Sequence, residues 1–177
     1  PQGYLTKLTR FWKMTKVALN PPTQVRNFLA NGVLMNLSGV KWKDLGNRYI
    51  QALDDIRKDG PFYQIAKKYG VTNTTYNKQE MFEINQAYLK IKQKDIKNPI
   101  EKVKYIGAVI ADTASNAYQF TEVLGKTAKI IDAMSKGADE ATAVLAAQKT
   151  LFDYSSVPAL VRYLRNAPVG VPFLTFY

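Results

Sequence analysis

The sequence predicts an all-α fold, a multi-helix bundle with one long central helix and no sheet. Three observations predict it. Apolar residues recur at helical spacing along most of the chain, no alternating apolar and polar run of useful length occurs, and Asn-Pro pairs, glycines and capping residues fall at the ends of the periodic segments. The 177 residues suit a single module, because a chain of this size buries roughly 70% of its unfolded surface and needs no covalent staple. The 46% hydrophobic fraction agrees with a packed core.

The first segment, Tyr4–Leu19, reads as an amphipathic helix, with Leu5, Leu8, Trp12 and Leu19 on one face and Lys7, Arg10, Lys13 and Lys16 around the other. Asn20 suits the N-cap of the next helix and Pro21 its first position, where a missing N–H costs nothing. That helix, Pro22–Leu37, carries no charge after Arg26, and burial on most sides is expected of it. A third helix is predicted over Trp42–Lys58, with Leu45, Tyr49, Leu53 and Ile56 inside and Asp59-Gly60-Pro61 as its stop. A short helix, Phe62–Tyr69, precedes a polar, β-branched loop, Val71–Tyr76.

Asn77 with Glu80 three residues on forms a capping-box pattern for a helix ending near Lys94, with Met81, Ile84, Tyr88 and Ile91 inside. Asn98-Pro99 opens the longest periodic stretch, Ile100–Lys136, in which Gly107 and Gly125 are positions for a bend or a close neighbour. Gly137 ends it, Asp139 caps a helix to about Phe152, and Ser156 with Pro158 starts a last one ending near Arg165.

Composition narrows the chemistry. The chain has neither cysteine nor histidine, so it offers no thiolate nucleophile, disulfide, zinc ribbon or imidazole base. Carboxylate chemistry, Ser/Lys chemistry or no chemistry remain. No stretch approaches the ~18 consecutive apolar residues of a spanning helix. The opening at Pro1 and the apolar close at Phe173–Tyr177 read as part of a longer polypeptide.

Lys+Arg total 25 against 14 Asp+Glu, a net charge of +11. The excess is uneven: residues 1–43 hold Lys7, Arg10, Lys13, Lys16, Arg26, Lys41 and Lys43 without an acid. These seven are the candidate contacts to nucleic acid or an acidic partner, with Phe11, Trp12 and Trp42 as stacking candidates. An interfacial membrane helix and a merely solvated face fit the same pattern, because electrostatic attraction reads only charge.

Other motifs reduce to structure. Gly125-Lys126-Thr127 lacks the glycine five residues earlier that a phosphate loop needs, since Phe120 stands there, and it lies within a helical stretch. Ser38-Gly39-Val40-Lys41 lacks the companion elements of a Ser-Lys acyl enzyme and reads as a helix end. Asp54, Asp55 and Asp59 are interrupted by Arg57 and Lys58 and read as solvated charges rather than a metal or acid/base pair. Asn36-Leu37-Ser38 and Asn73-Thr74-Thr75 match the short glycosylation pattern. No catalytic residue, metal ligand or cofactor site is expected.

Two separated stretches carry a resemblance. Thr15–Asn31, with Asn20, Pro21, Arg26, Asn27 and Asn31, resembles an Ala-Leu-Asn-Pro…Arg-Asn…Asn segment of the large polyvalent proteins of bacteriophages and other mobile elements. Leu151–Ser155, with Asp153 and Tyr154, followed by Pro172 and Phe173, resembles the Phe-Asp-Tyr…Pro-Phe-x-Thr close of the same α-helical domain. The order and spacing are similar to the family's, and the two stretches bracket nearly the whole chain. After Phe-Asp-Tyr the chain departs from it, with Ser156, Val157, Pro158 and Ala159 in place of a charged run.

The resemblance implies a non-enzymatic helical module of a phage internal virion protein, capsid cargo or ejection protein, held in the capsid interior or at the portal and delivered into the host with the genome. Implied partners are other segments of the parent chain, portal or other virion proteins, genomic DNA, and membrane on ejection. The alternative is a basic nucleic-acid-binding module appended to a larger phage enzyme. The residues themselves suit architecture: Asn20-Pro21 sets a turn, Asn27 and Asn31 sit one helical turn apart, and Asp153 is within reach of Arg162 or Arg165.

Overall fold

The computed structural model describes residues 21–72, 76–114 and 116–151. Among them it is all helix and turn, without a strand. Seven helices follow in order: α1 (Pro21–Leu37), α2 (Trp42–Arg57), α3 (Pro61–Lys68), α4 (Lys78–Lys92), α5 (Pro99–Thr113), α6 (Ala117–Ser135) and α7 (Glu140–Thr150). The expected helices Tyr4–Leu19 and Ser156–Arg165 lie outside the described residues, as do Asn73–Thr75 of the expected loop.

Local signals set most boundaries. The capping box of α4 is formed, the Asn77 side chain accepting the Glu80 N–H at 2.9 Å while the Glu80 carboxylate accepts the Asn77 N–H. Asn98 caps α5 through the Ile100 and Glu101 N–H groups, and Asp139 caps α7 through that of Thr142. Gly39, at φ +97°, closes α1, with the Val40 N–H donating to the Met35 carbonyl and the Ser38 hydroxyl donating to that same carbonyl. The Ser-x-x-Lys stretch is thus a helix end, as its sequence indicated.

The core is built on α2 and α6. Leu45, Tyr49, Leu53 and Ile56 of α2 are fully buried, and α6 is packed by α1, α2, α3 and α7 so thoroughly that polar Thr127 and Asp132 are buried with its apolar residues. Close approach depends on glycine at two expected positions. A Cβ on Gly107 would stand 2.9 Å from the Phe28 ring, which itself packs on Tyr49 at a centroid distance of 4.4 Å. A Cβ on Gly125 would meet Leu151 at 2.9 Å.

Two expectations need correction. The long central helix is two helices, α5 and α6, separated at Ala114, whose backbone is extended at φ −89°, ψ 123°. Thr113 and Asn116, which flank the break, are of residue types with weak helix propensity. A continuous helix over Ile100–Lys136 would also run about 55 Å, too far for one core to cover both halves. The apolar period survives the break because each half buries its own stripe.

Helix α1, which carries no charge after Arg26, is also not buried on most sides. Phe28, Gly32 and Met35 face the core, whereas Arg26, Ala30, Val33 and Leu37 are exposed, Leu37 at 77%. Absence of charge along a helix does not guarantee partners on every face; only its packing against α5, α6 and α2 decides that.

A candidate polyanion-binding end

Charge is partitioned by how the carboxylates are used. Asp54 pairs with Arg57 at 2.5 Å and Lys58 at 2.7 Å, Asp59 with Lys67 at 2.6 Å, Glu122 with Lys126 at 2.7 Å and Glu140 with Lys68 at 2.7 Å. Burial raises the Asp54 carboxyl, yet the bonds from Lys58 and Arg57 outweigh it and hold the group below its ordinary range. Glu80 and Asp139 are used as caps.

Asp55 corrects the reading of the Asp54, Asp55, Asp59 run as solvated charge. Its carboxylate accepts the Tyr63 N–H at 2.7 Å, capping α3 from the end of α2 in place of Gly60, which has no side chain to do so. Desolvation raises its carboxyl against the N–H bonds of Tyr63 and Phe62. A Cβ at Gly60 would collide with that carboxylate.

The lysines behave differently. The start of α5 is set beside the start of α2, where the Lys102 ammonium donates to Asn47 Oδ1 at 2.9 Å and its aliphatic stem lies over Gly46. The end of α4 packs against the middle of α5: the Tyr105 hydroxyl donates to the Lys90 carbonyl at 3.2 Å, the Lys94 ammonium sits 4.9 Å over the Tyr105 ring, and the Lys90 ammonium reaches on to Asp112 at 3.7 Å. The starts of α2 and α5 and the α4–α5 turn thereby share one end of the bundle, with the last turn of α4 set back along α5. These elements carry exposed Lys41, Lys43, Lys92, Lys94, Lys97 and Lys104 and half-buried Lys102, against Asp44, Asp95 and Glu101. Among the described residues, Lys41, Lys43, Lys92, Lys97 and Lys104 form no ion pair.

Of the sequence-predicted contacts, Lys7, Arg10, Lys13 and Lys16 lie outside the described residues, as do Asn20, Asp153, Tyr154, Pro172 and Phe173. The structure brings Lys43 one helical turn from Asn47, and so beside Lys102, with Lys41 just ahead of it. Arg26 is not part of this group. Phe28 packs at Gly107 and Gly32 at Val103, so α1 runs toward the start of α5 and Arg26 stands at its far end, exposed. Pro21 opens α1, and Asn27 and Asn31 are half-buried on it, the Asn31 amide lying against Gly125 of α6. Trp42 is half-buried against the core beside Gly32, so its ring has a structural partner.

The α4–α5 lysines were missed, although the signal was present: Lys90, Lys92, Lys94, Lys97, Lys102 and Lys104 crowd a short stretch that holds only Asp95 and Glu101 as acids. The wholly acid-free first quarter of the chain masked this second concentration.

A buried ionic cluster was also missed. Asp132 of α6 is 3% exposed and is approached by Lys136 at 2.7 Å, Arg48 at 3.5 Å and Lys129 at 3.9 Å. The Lys129 ammonium donates to the Ser38 carbonyl and that of Lys136 to the Gly39 carbonyl, so the cluster ties the α1–α2 turn to α6. Desolvation lowers the Lys129 ammonium despite the attraction of Asp132. Gly125-Lys126-Thr127 lies within α6, as expected.

An open groove of about 790 Å³ lies between α2, the start of α3 and α6, lined by Phe62, Ile131 and Met134 together with Arg48 and Lys58. Those two cations are engaged with Asp132 and Asp54. Among the described residues no group of three metal-ligating side chains gathers, and no helix is long and apolar enough to cross a membrane. No family model, curated protein or solved structure matches the chain.

Proposed function

We propose that this chain is a non-enzymatic structural module of a bacteriophage internal virion protein, carried in the capsid or at the portal and delivered with the genome, and that it acts by binding. One observation supports it above the others: many of the carboxylates are spent on pairs and caps that hold the helices together, while lysines are left without acid partners at one end of the bundle. Carboxylates engaged in this way are poorly placed for acid/base turnover, whereas unpaired cations suit attraction to an acidic surface. The Asn-Pro and Phe-Asp-Tyr stretches add the phage context by resemblance.

Mass spectrometry of purified, nuclease-treated particles tests this reading. The polypeptide carrying this sequence is expected inside full particles and depleted from particles that have ejected their DNA. Its confinement to the infected-cell lysate would refute virion residence, and metal-dependent hydrolysis by the purified chain would refute the non-enzymatic assignment. The same lysine-rich end also favours the second reading, a nucleic-acid-binding module of a larger phage enzyme, for which cell-lysate confinement is the expected result.

A further inference from the structure

We infer that the end of the bundle formed by the last turn of α4, the α4–α5 turn and the starts of α2 and α5 is a sequence-independent contact surface for the phosphate backbone of duplex DNA. The inference rests on the reading of the chain as a binding module and names the ligand of that end.

Lys92, Lys94, Lys97 and Lys104 are exposed on α4, the turn and α5, and the bond from Lys102 to Asn47 adds Lys41 and Lys43 from α2. Cations drawn from three separate elements form a broad face, which a rod of regularly spaced phosphates can follow. The three nearby acids, Asp44, Asp95 and Glu101, are outnumbered, and two of them lie in first turns, where helix dipoles hold them. The residue types indicate what is read. Lysine is a point charge on a flexible stem, and no arginine stands among these residues to make a bidentate contact with a base.

The choice of duplex over single strand follows from the aromatic groups. Single-strand surfaces present open rings for bases to stack on. Here the Tyr105 ring is covered by Lys94 and its hydroxyl is bonded to the Lys90 carbonyl, while Trp42 packs against the core. A bilayer would demand a wide apolar face beside the cations, and the exposed large apolar groups near this end are few and spread over three helices, Ile100 on α5, Leu89 on α4, and Val33 and Leu37 on α1.

The test uses the full 177-residue chain and a fluorescein-labelled 20-base-pair duplex of mixed sequence, with anisotropy titrations at several salt concentrations. Changing Lys92, Lys94, Lys97 and Lys104 to Gln should flatten the slope of log affinity against log salt by about 3 to 4, at about 0.9 for each lost phosphate contact. The pair K97Q/K104Q should remove about 2. A control that removes the same charge elsewhere, at Lys58, Lys67, Lys68 and Lys149, should keep the slope within about one contact of the parent.

Equal losses in patch and control variants would overturn the inference, because net charge alone would then explain binding. So would tighter binding to a single strand of the same sequence, or retention on phosphatidylserine vesicles without duplex binding. Particle residence with an unchanged slope would refute this surface and leave the virion reading standing. A flattened slope in a chain found outside particles would do the reverse.

Discussion

Replacing Asp132 by Asn removes a charge while keeping shape, and the cost follows from what is left behind. Asp132 is 3% exposed, and its cationic partners differ in their access to water: the Lys129 side chain is 6% exposed, Arg48 22% and Lys136 54%. Removing one member of a fully buried pair costs roughly 3–5 kcal/mol, mainly because the remaining charge is stranded. Lys136 can return to solvent, and Arg48 keeps its bond to Ser135 at 2.7 Å, so most of the penalty falls on Lys129.

We therefore expect D132N to lose about 3 kcal/mol, at the low end of that range. For a chain of this length this lowers Tm by about 6–12 °C. Circular dichroism at 222 nm, followed with temperature and with urea, reads both quantities. A second variant isolates the cause. K129M removes the ammonium that D132N strands, so the double variant should be more stable than the sum of the single losses predicts, by about 1–2 kcal/mol. A Tm change below about 2 °C for D132N would refute the argument, as would strict additivity in the double variant.

The remaining predictions concern neighbouring devices. D55A should cost about 1 kcal/mol by uncapping α3, while D55N, which can still accept the Tyr63 N–H, should cost less in the same urea titration. Burial raises the Asp55 carboxyl, so the folded state holds its proton more readily than the unfolded chain, and this group's contribution to stability falls as pH rises from about 4; D55N should remove that part of the slope. G107A gains about 1 kcal/mol of helix propensity but drives a methyl against Phe28, an overpacking cost of about 1–3 kcal/mol, so a net loss of about 1 kcal/mol is expected and F28L should recover it. N77A should lower stability by about 1 kcal/mol through the broken capping box of α4, and an unchanged melt would show that the box contributes nothing.

Local chemistry made much of the helical fold readable in the amino-acid order. The Asn77 and Glu80 box, the Asn98-Pro99 start, the Gly39 and Gly137 stops and the buried stripe of Leu45, Tyr49, Leu53 and Ile56 involve residues within a few positions of one another, and each appears where expected. Even the close approaches at Gly107 and Gly125 were legible, because a glycine inside a helical period costs stability unless something needs its space.

Contacts between distant residues decided the rest. Whether the periodic stretch after Asn98 runs on or folds back at Ala114 depends on where each half finds a partner, and an apolar period reads the same in either case. The exposed side of α1 was hidden for the same reason, since Val33 and Leu37 lack neighbours that only packing could supply. Burial of Lys129 and Asp132 required α2, α6 and the α1–α2 turn to meet, and the cap on α3 required Asp55 to reach across a turn to an N–H eight residues away. The candidate site divides along the same line. Its lysines can be counted in the sequence, but their shared face exists only because Lys102 reaches Asn47 and Tyr105 reaches the Lys90 carbonyl: charge is a property of a residue, and a charged surface is a property of the distances between residues.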